Sequence, residues 1–269
     1  MPTDPETKYR APALEKGLDI IELLSDSHDE MSQSEIARAL DRSQSEIYRM
    51  LSTLVRRGYV SRTSGDRYSL SLKLFSTAQR YSPINRLLEV ATPKMRRASR
   101  KVWQSCHLGM EAGGSIVIVS SVESPGNWGL AIRTGSVIGL CNTGTGRVLA
   151  AFRSEEELQQ LITTHTPAVG EPEFDEPVFR AELQKIRELG YYKAKSETTL
   201  GVTNLSFPIF HPSGEIVAVL SCPFLERVDA MRTANLEETE QAYRQLADDL
   251  TAYFRGGSLD DEDIAHDRR

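Results

Sequence analysis

The pentapeptide Ser-Gln-Ser-Glu-Ile occurs twice in this chain, at residues 32–36 and again at 43–47. In each copy a serine stands three residues ahead of a glutamate, Ser32 before Glu35 and Ser43 before Glu46. That spacing makes a capping box. The hydroxyl accepts from the amide three residues on, and the carboxylate reaches back to the serine amide. Two helix starts eleven residues apart leave room for one short helix and a tight turn, the skeleton of a helix-turn-helix.

The second of these helices has two faces. Ile47, Met50, Leu51 and Leu54 recur at helical spacing and form its core stripe. Gln44, Ser45, Tyr48, Arg49, Ser52 and Arg56 lie on the other side. With Arg42 and Ser43 just before it, this face carries groups that reach base edges and phosphates. Upstream, Leu14, Leu18 and Ile21 predict a further amphipathic helix of about three turns. Downstream, Gly58 stops the helix, residues 59–62 and 67–70 read as two strands, and Thr63-Ser64-Gly65-Asp66 supplies the turn. Three helices and a hairpin make a winged helix-turn-helix. Arg62 and Arg67 flank the wing tip and are candidate phosphate or minor-groove contacts.

Charge divides along the same line. The chain of 269 residues has a net charge of −6, which argues against a nonspecific polycation. Residues 42–80, however, hold eight basic and two acidic residues, a local +6 that leaves −12 for the remainder. A positive field confined to the motif suits double-stranded DNA as the partner. No apolar run approaches a membrane span, and the N-terminus lacks a signal peptide's apolar stretch, so a cytoplasmic location is expected. Cys106, Cys141 and Cys222 are widely spaced without a CxxC, which supports neither a zinc site nor a disulfide framework. No cofactor is implied.

The length requires a second domain. The expected boundaries are a DNA-binding domain at 10–71, a linker helix at 72–83, a larger domain at 84–255 and a disordered acidic tail at 256–269. Leu72, Phe75 and Ala78 carry the linker pattern, which Pro83 interrupts, and a new helix begins at Ile84. One side of that helix is basic and reads as a solvated face. Strands are expected at 106–111, 116–122, 128–133, 137–141, 191–194, 205–210 and 216–221. Helices are expected at 147–152, 155–162, 178–189 and from about 233 to 254. Strand runs around central helices indicate α+β, with a curved, mainly antiparallel sheet.

Three passages together resemble the IclR-type bacterial transcription regulators. They are SEIARAL…SEIYRMLSTLVRRGYV at 34–60, TGTGRVLAA at 143–151 and SETTLGVTNLSFPIFHPSGEIVAVLS at 196–221. The resemblance spans about residues 10–255. It implies a GAF-like C-terminal domain that binds a small organic effector, often a carboxylate, and a dimer or dimer of dimers. The family's pocket positions correspond here to Gly144, Thr145, Asn204 and Ser221, and Thr143 adds a flanking hydroxyl. The residues themselves suit an anion, because amides at a helix start and flanking threonine hydroxyls are all donors. A strand-to-helix turn with capping threonines would carry the same Thr-Gly-Thr-Gly letters. This chain departs from the family pattern at Ser221-Cys222-Pro223, at Ser71 and at Asn204.

Catalysis is the competing class. Cys106 and His107 are adjacent, so on a strand they face opposite ways and cannot pair. His165 and His211 show no metal-ligand spacing, and both GxSxG and GKS/T are missing. A winged helix used for protein contacts is a further alternative, which weak and salt-insensitive DNA binding would favour.

Overall fold

The computed structural model describes residues 11–80, 82–173, 175–229 and 231–254. The expected tail at 256–269, residue 10 and Tyr81 therefore lie outside the described residues. The chain divides into two units, which meet between Asn85 and Arg86.

The first unit contains α1 (Pro12–Asp26), β1 (Met31–Ser32), α2 (Gln33–Ala39), α3 (Gln44–Arg56), β2 (Val60–Arg62), β3 (Arg67–Leu70) and α4 (Lys73–Ala78). Both capping boxes form. Ser32 Oγ accepts from Glu35 N–H at 3.3 Å while Glu35 accepts from Ser32 N–H at 2.7 Å. The Ser43–Glu46 pair repeats this at 3.4 and 3.2 Å. Asp41 sits between the helices with φ at +50°, the left-handed step that turns one helix into the next. The wing is a three-stranded sheet in the order β1-β3-β2. Ile20, Leu24, Ile36, Ile47, Leu51, Val60 and Tyr68 form its common core.

The core stripe of α1 differs from the expected one. Gly17, Ile20 and Leu24 face inward, whereas Leu14 is 63% and Leu18 47% exposed. The helix carries two neighbouring apolar stripes, and the one through Ile20 and Leu24 is the one that packs into the core with Ile36, Ile47 and Leu51. In the linker, the α4 helix spans only Lys73–Ala78, and Leu72 just before it and Phe75 within it are exposed.

The second unit is built on a six-stranded antiparallel sheet. Its strands are β4 (Cys106–Ala112), β5 (Ser115–Val122), β6 (Val137–Ile138), β7 (Tyr192–Lys195), β8 (Val202–Phe210) and β9 (Ile216–Leu225), in the order β6-β5-β4-β9-β8-β7. On one face lie α5 (Ser82–Val102) and α9 (Leu236–Phe254), packed through Leu87, Met95, Phe207, Leu220, Tyr243 and Leu250. On the other lie α6 (Gly144–Ala151), α7 (Glu155–Thr164) and α8 (Glu176–Leu189), packed through Ile116, Val148, Leu158, Leu183 and Val219. Among the described residues no helix is long and apolar enough to cross a membrane.

Several expected elements change, and β8 begins earlier at Val202, β9 runs on to Leu225 and α6 begins at Gly144. Residues 128–133 form no strand; β5's outer edge is already bonded to 135–138, with Ile118 N–H donating to Ser136 O and Gly135 N–H to Ile118 O. The strand expected at 137–141 stops at Ile138, because Thr143 Oγ1 donates to Gly139 O at 2.6 Å and Cys141 N–H to Glu171 at 2.8 Å, curling 139–143 into α6. The helix expected at Ile84 starts at Ser82. The last helix starts at Leu236 rather than near 233, fixed by reciprocal Asn235–Glu238 bonds of 2.9 Å.

Candidate functional site

On the α3 surface, Gln44, Ser45, Tyr48, Arg49, Ser52 and Arg56 are all exposed, as are Arg42 and Ser43 before it. The Ser43 hydroxyl is engaged locally, donating to Glu46 at 2.7 Å. Glu46, the acid in the first turn of α3, also pairs with Lys16 of α1 at 2.5 Å. The Lys16 and Ser43 bonds hold its pKa down at about 2, so the carboxylate stays ionised and matched by a cation. The two wing arginines differ. Arg62 is exposed and pairs with Asp66 at 2.6 Å. Arg67 is half-buried, donates to the Glu30 carbonyl and lies 3.4 Å from Glu35, tying the wing to α2.

In the second unit, Thr143 caps α6, its hydroxyl accepting from Gly146 N–H at 3.0 Å. Helix geometry leaves the Gly144 and Thr145 amides without intrahelical acceptors. Glycine brings this helix close to the sheet. A Cβ on Gly144 would lie 2.5 Å from Ser206 Oγ and 2.7 Å from Tyr192, and one on Gly109 of β4 would lie 2.3 Å from Thr145 Cγ2. Gly144 is therefore required by contact with protein atoms, before any ligand is considered.

A cavity of about 140 Å³ opens at this helix start. Thr143, Gly144, Thr145, Asn204 and Ser221 all line it. Also present are His107, Ser206 and three hydroxyl residues of the following loop, Ser196, Thr198 and Thr199. Leu130, Ile132, Ile138, Val202 and Pro223 supply its apolar wall. Among the described residues no lysine, arginine or carboxylate lines it. At its floor, His107 Nε2 is 3.2 Å from Thr145 Oγ1, which is 2.8 Å from Ser221 Oγ, which donates to Ser206 Oγ at 2.8 Å. All four residues are buried. Burial alone pushes the His107 pKa down to about 4, so the ring is neutral at ordinary pH.

Two buried clusters brace the surroundings. Arg147 of α6, with its side chain 8% exposed, pairs with Glu197 of the 196–201 loop at 2.7 Å, donates to Tyr192 OH at 2.6 Å and lies 3.3 Å from Glu182. Burial works against its charge, but Tyr192, Glu197 and Glu182 outweigh that and hold the guanidinium pKa above its ordinary value. Glu171 accepts from Cys141 N–H at 2.8 Å, Ala168 N–H at 2.9 Å and His165 Nε2 at 2.9 Å. His165 Nδ1 lies 2.7 Å from Gly114 O. Burial pushes the Cys106 and Cys141 thiols up to about 12, which keeps them protonated and unreactive.

Residues 80–252 match the family described as "Bacterial transcriptional regulator IclR C-terminal", and residues 13–64 match the "IclR helix-turn-helix domain". The chain belongs to the IclR family. This IclR-family chain is 29% identical to the HTH-type transcriptional regulator KdgR of Escherichia coli K12 over 198 residues, covering 72% of this chain and 75% of the relative. It is 28% identical to the HTH-type transcriptional repressor AllR of the same strain over 226 residues, covering 81% and 82%. A similar fold occurs in an IclR homolog of Microbacterium hydrocarbonoxydans complexed with 4-hydroxybenzoate, with a TM-score of 0.75, 21% identity and coverage of 91% and 100%. The chain is thus an IclR-family transcriptional regulator, with an N-terminal helix-turn-helix DNA-binding domain and a C-terminal effector-binding domain.

Sequence reading of this IclR-family chain missed His107, Ser206 and Arg147. Signals for the first two were present. Alternation puts His107 on the face opposite Cys106, and Ser206 two residues past Asn204 shares its face of β8. Arg147 gave no such signal, because its partners come from α8, β7 and the 196–201 loop.

Proposed function

We propose that this regulator binds an inverted-repeat operator through α3 and the wing, and that a small organic acid in the α6 cavity sets its operator affinity. The observation that carries the effector reading is the small cavity, walled by apolar side chains and floored by neutral donors at a helix start. Its size is close to the roughly 150 Å³ that accommodates benzene in an engineered protein cavity. A carboxylate suits the amides of Gly144 and Thr145, where helix partial charge favours an anion. Asn204 and Ser221 orient its remaining polar atoms. The ligand of the Microbacterium relative is itself an organic acid.

In the DNA-binding domain, Gln44, Ser45, Tyr48 and Arg49 read base edges from the first turns of α3. Arg42, Ser43, Ser52, Arg56, Arg62 and Arg67 serve the phosphates or support that surface. Exposed Leu14, Leu18, Leu72 and Phe75 provide apolar surface for a homodimer, or for one level of a dimer of dimers. The protein works in the cytoplasm without a cofactor. Effector control is a population shift: an acid that binds one arrangement of the paired heads more tightly changes the spacing of the recognition helices.

A thermal-shift screen against short aliphatic and aromatic carboxylic acids tests the effector half of this reading. A binding acid raises the melting temperature by mass action and changes operator affinity in a parallel titration. Acids that do neither refute it.

A further inference from the structure

We propose that His107 is a positioning residue that fixes the direction of the buried hydroxyl chain, so that Ser206 is left with a free O–H beside the α6 amides and the site selects an ionised carboxylate over the isosteric amide. The inference rests on the effector reading above and deepens it.

Each hydroxyl has a single hydrogen to donate. Ser221 donates its own to Ser206 at 2.8 Å, so the 2.8 Å contact between Thr145 and Ser221 has Thr145 as the donor. The Thr145 oxygen, with its hydrogen committed, must then accept from His107 Nε2 at 3.2 Å. Burial keeps the ring neutral, so its one N–H sits on Nε2. The chain runs in one direction, from His107 through Thr145 and Ser221 to Ser206.

At its end, the Ser206 hydrogen has no acceptor among the described residues, although Ser206 is only 1% exposed and lines the cavity. Its oxygen lies 2.5 Å from where a Gly144 Cβ would be, beside the amides that open α6. The free Ser206 hydrogen and the Gly144 and Thr145 amides are therefore the donors gathered at this end of the cavity. The opposite tautomer would leave Nε2 accepting from Thr145, and Thr145 would have no hydrogen for Ser221. A carboxylate presents only acceptors to the Ser206 O–H and the α6 amides, whereas an amide has one oxygen for them and sets its NH2 group against the remaining donors.

Two measurements test the inference. Nitrogen-15 NMR of the imidazole at pH 7 is expected to show His107 neutral with its proton on Nε2. Calorimetric titration with propionate, pyruvate and their primary amides is expected to give each acid at least tenfold tighter binding than its amide. His107→Gln, which retains an N–H donor, is expected to keep that preference. Thr145→Val, similar in shape but unable to relay, is expected to reduce it below threefold. Thermal unfolding and operator binding confirm that each variant is folded. A proton on Nδ1, or acids and amides binding alike to the wild type, overturns the polarity while leaving the effector reading intact. Failure of both acids and amides to bind a chain that still holds its operator overturns the inference, and failure of every acid in the wider screen overturns the effector reading too.

Discussion

Tyr48 and Arg49 occupy the early turns of α3 with their side chains exposed, where a recognition helix meets base edges. Either alanine substitution is expected to weaken operator binding by about 1–3 kcal/mol and to relax specificity at one position, as read by titration against single-base operator variants. The wing arginines are expected to separate. Arg62→Ala lowers the salt slope of binding by about one unit for the lost phosphate contact. Arg67→Ala also lowers the melting temperature, because Arg67 holds the wing to Glu30 and Glu35. Identical salt slopes for wild type and Arg62→Ala would remove the wing from the interface.

His107 gives a pH signature at the same scale. Its folded pKa is about 4, against roughly 6.5 for an unperturbed histidine. Between those values the unfolded chain binds a proton that the folded chain refuses. The stability of the neutral buried ring is thus intact above about pH 6.5 and is lost as pH falls toward 4, by up to about 3 kcal/mol. Denaturant titrations are expected to show this loss in the wild type and a shallower one in His107→Gln. Equal slopes would mean that the ring is not held neutral.

Among elements, those specified by local chemistry were legible in the sequence. Ser32, Glu35, Ser43 and Glu46 define their helix starts within four residues, and no distant contact is needed to read them. The Thr143–Thr145 turn and residues Asn204 and Ser221 were legible only because the family order of motifs brings them together; the structure places them on one cavity. What escaped depends on partners far along the chain. Residues 128–133 alternate like a strand, but the edge they would join is taken, and Leu130 and Ile132 line the cavity instead. The 196–201 loop likewise owes its position to Arg147 on α6. Glu197→Gln is expected to loosen this loop, visible as faster amide hydrogen exchange across 196–201 and weaker acid binding. Unchanged exchange would show that the ion pair does not hold the loop.

For the whole molecule, the stripe on α1 that faces away from its core and the apolar residues beside α4 are surface a lone chain would leave wet. Leu14→Glu combined with Leu18→Glu is expected to shift sedimentation toward monomer and to weaken binding to a two-half-site operator far more than to a single half-site. A double variant that sediments like the wild type would move the interface elsewhere. The measurement that tests the central claim most directly is an operator titration with and without the tightest-binding acid from the screen, on wild type and on Asn204→Leu. Asn204 lines the cavity of the second unit, far in sequence from α3. The expected result is equal operator affinity for both proteins without acid, and a shift on adding acid in the wild type alone. An acid-induced shift of the same size in Asn204→Leu would contradict control through this cavity.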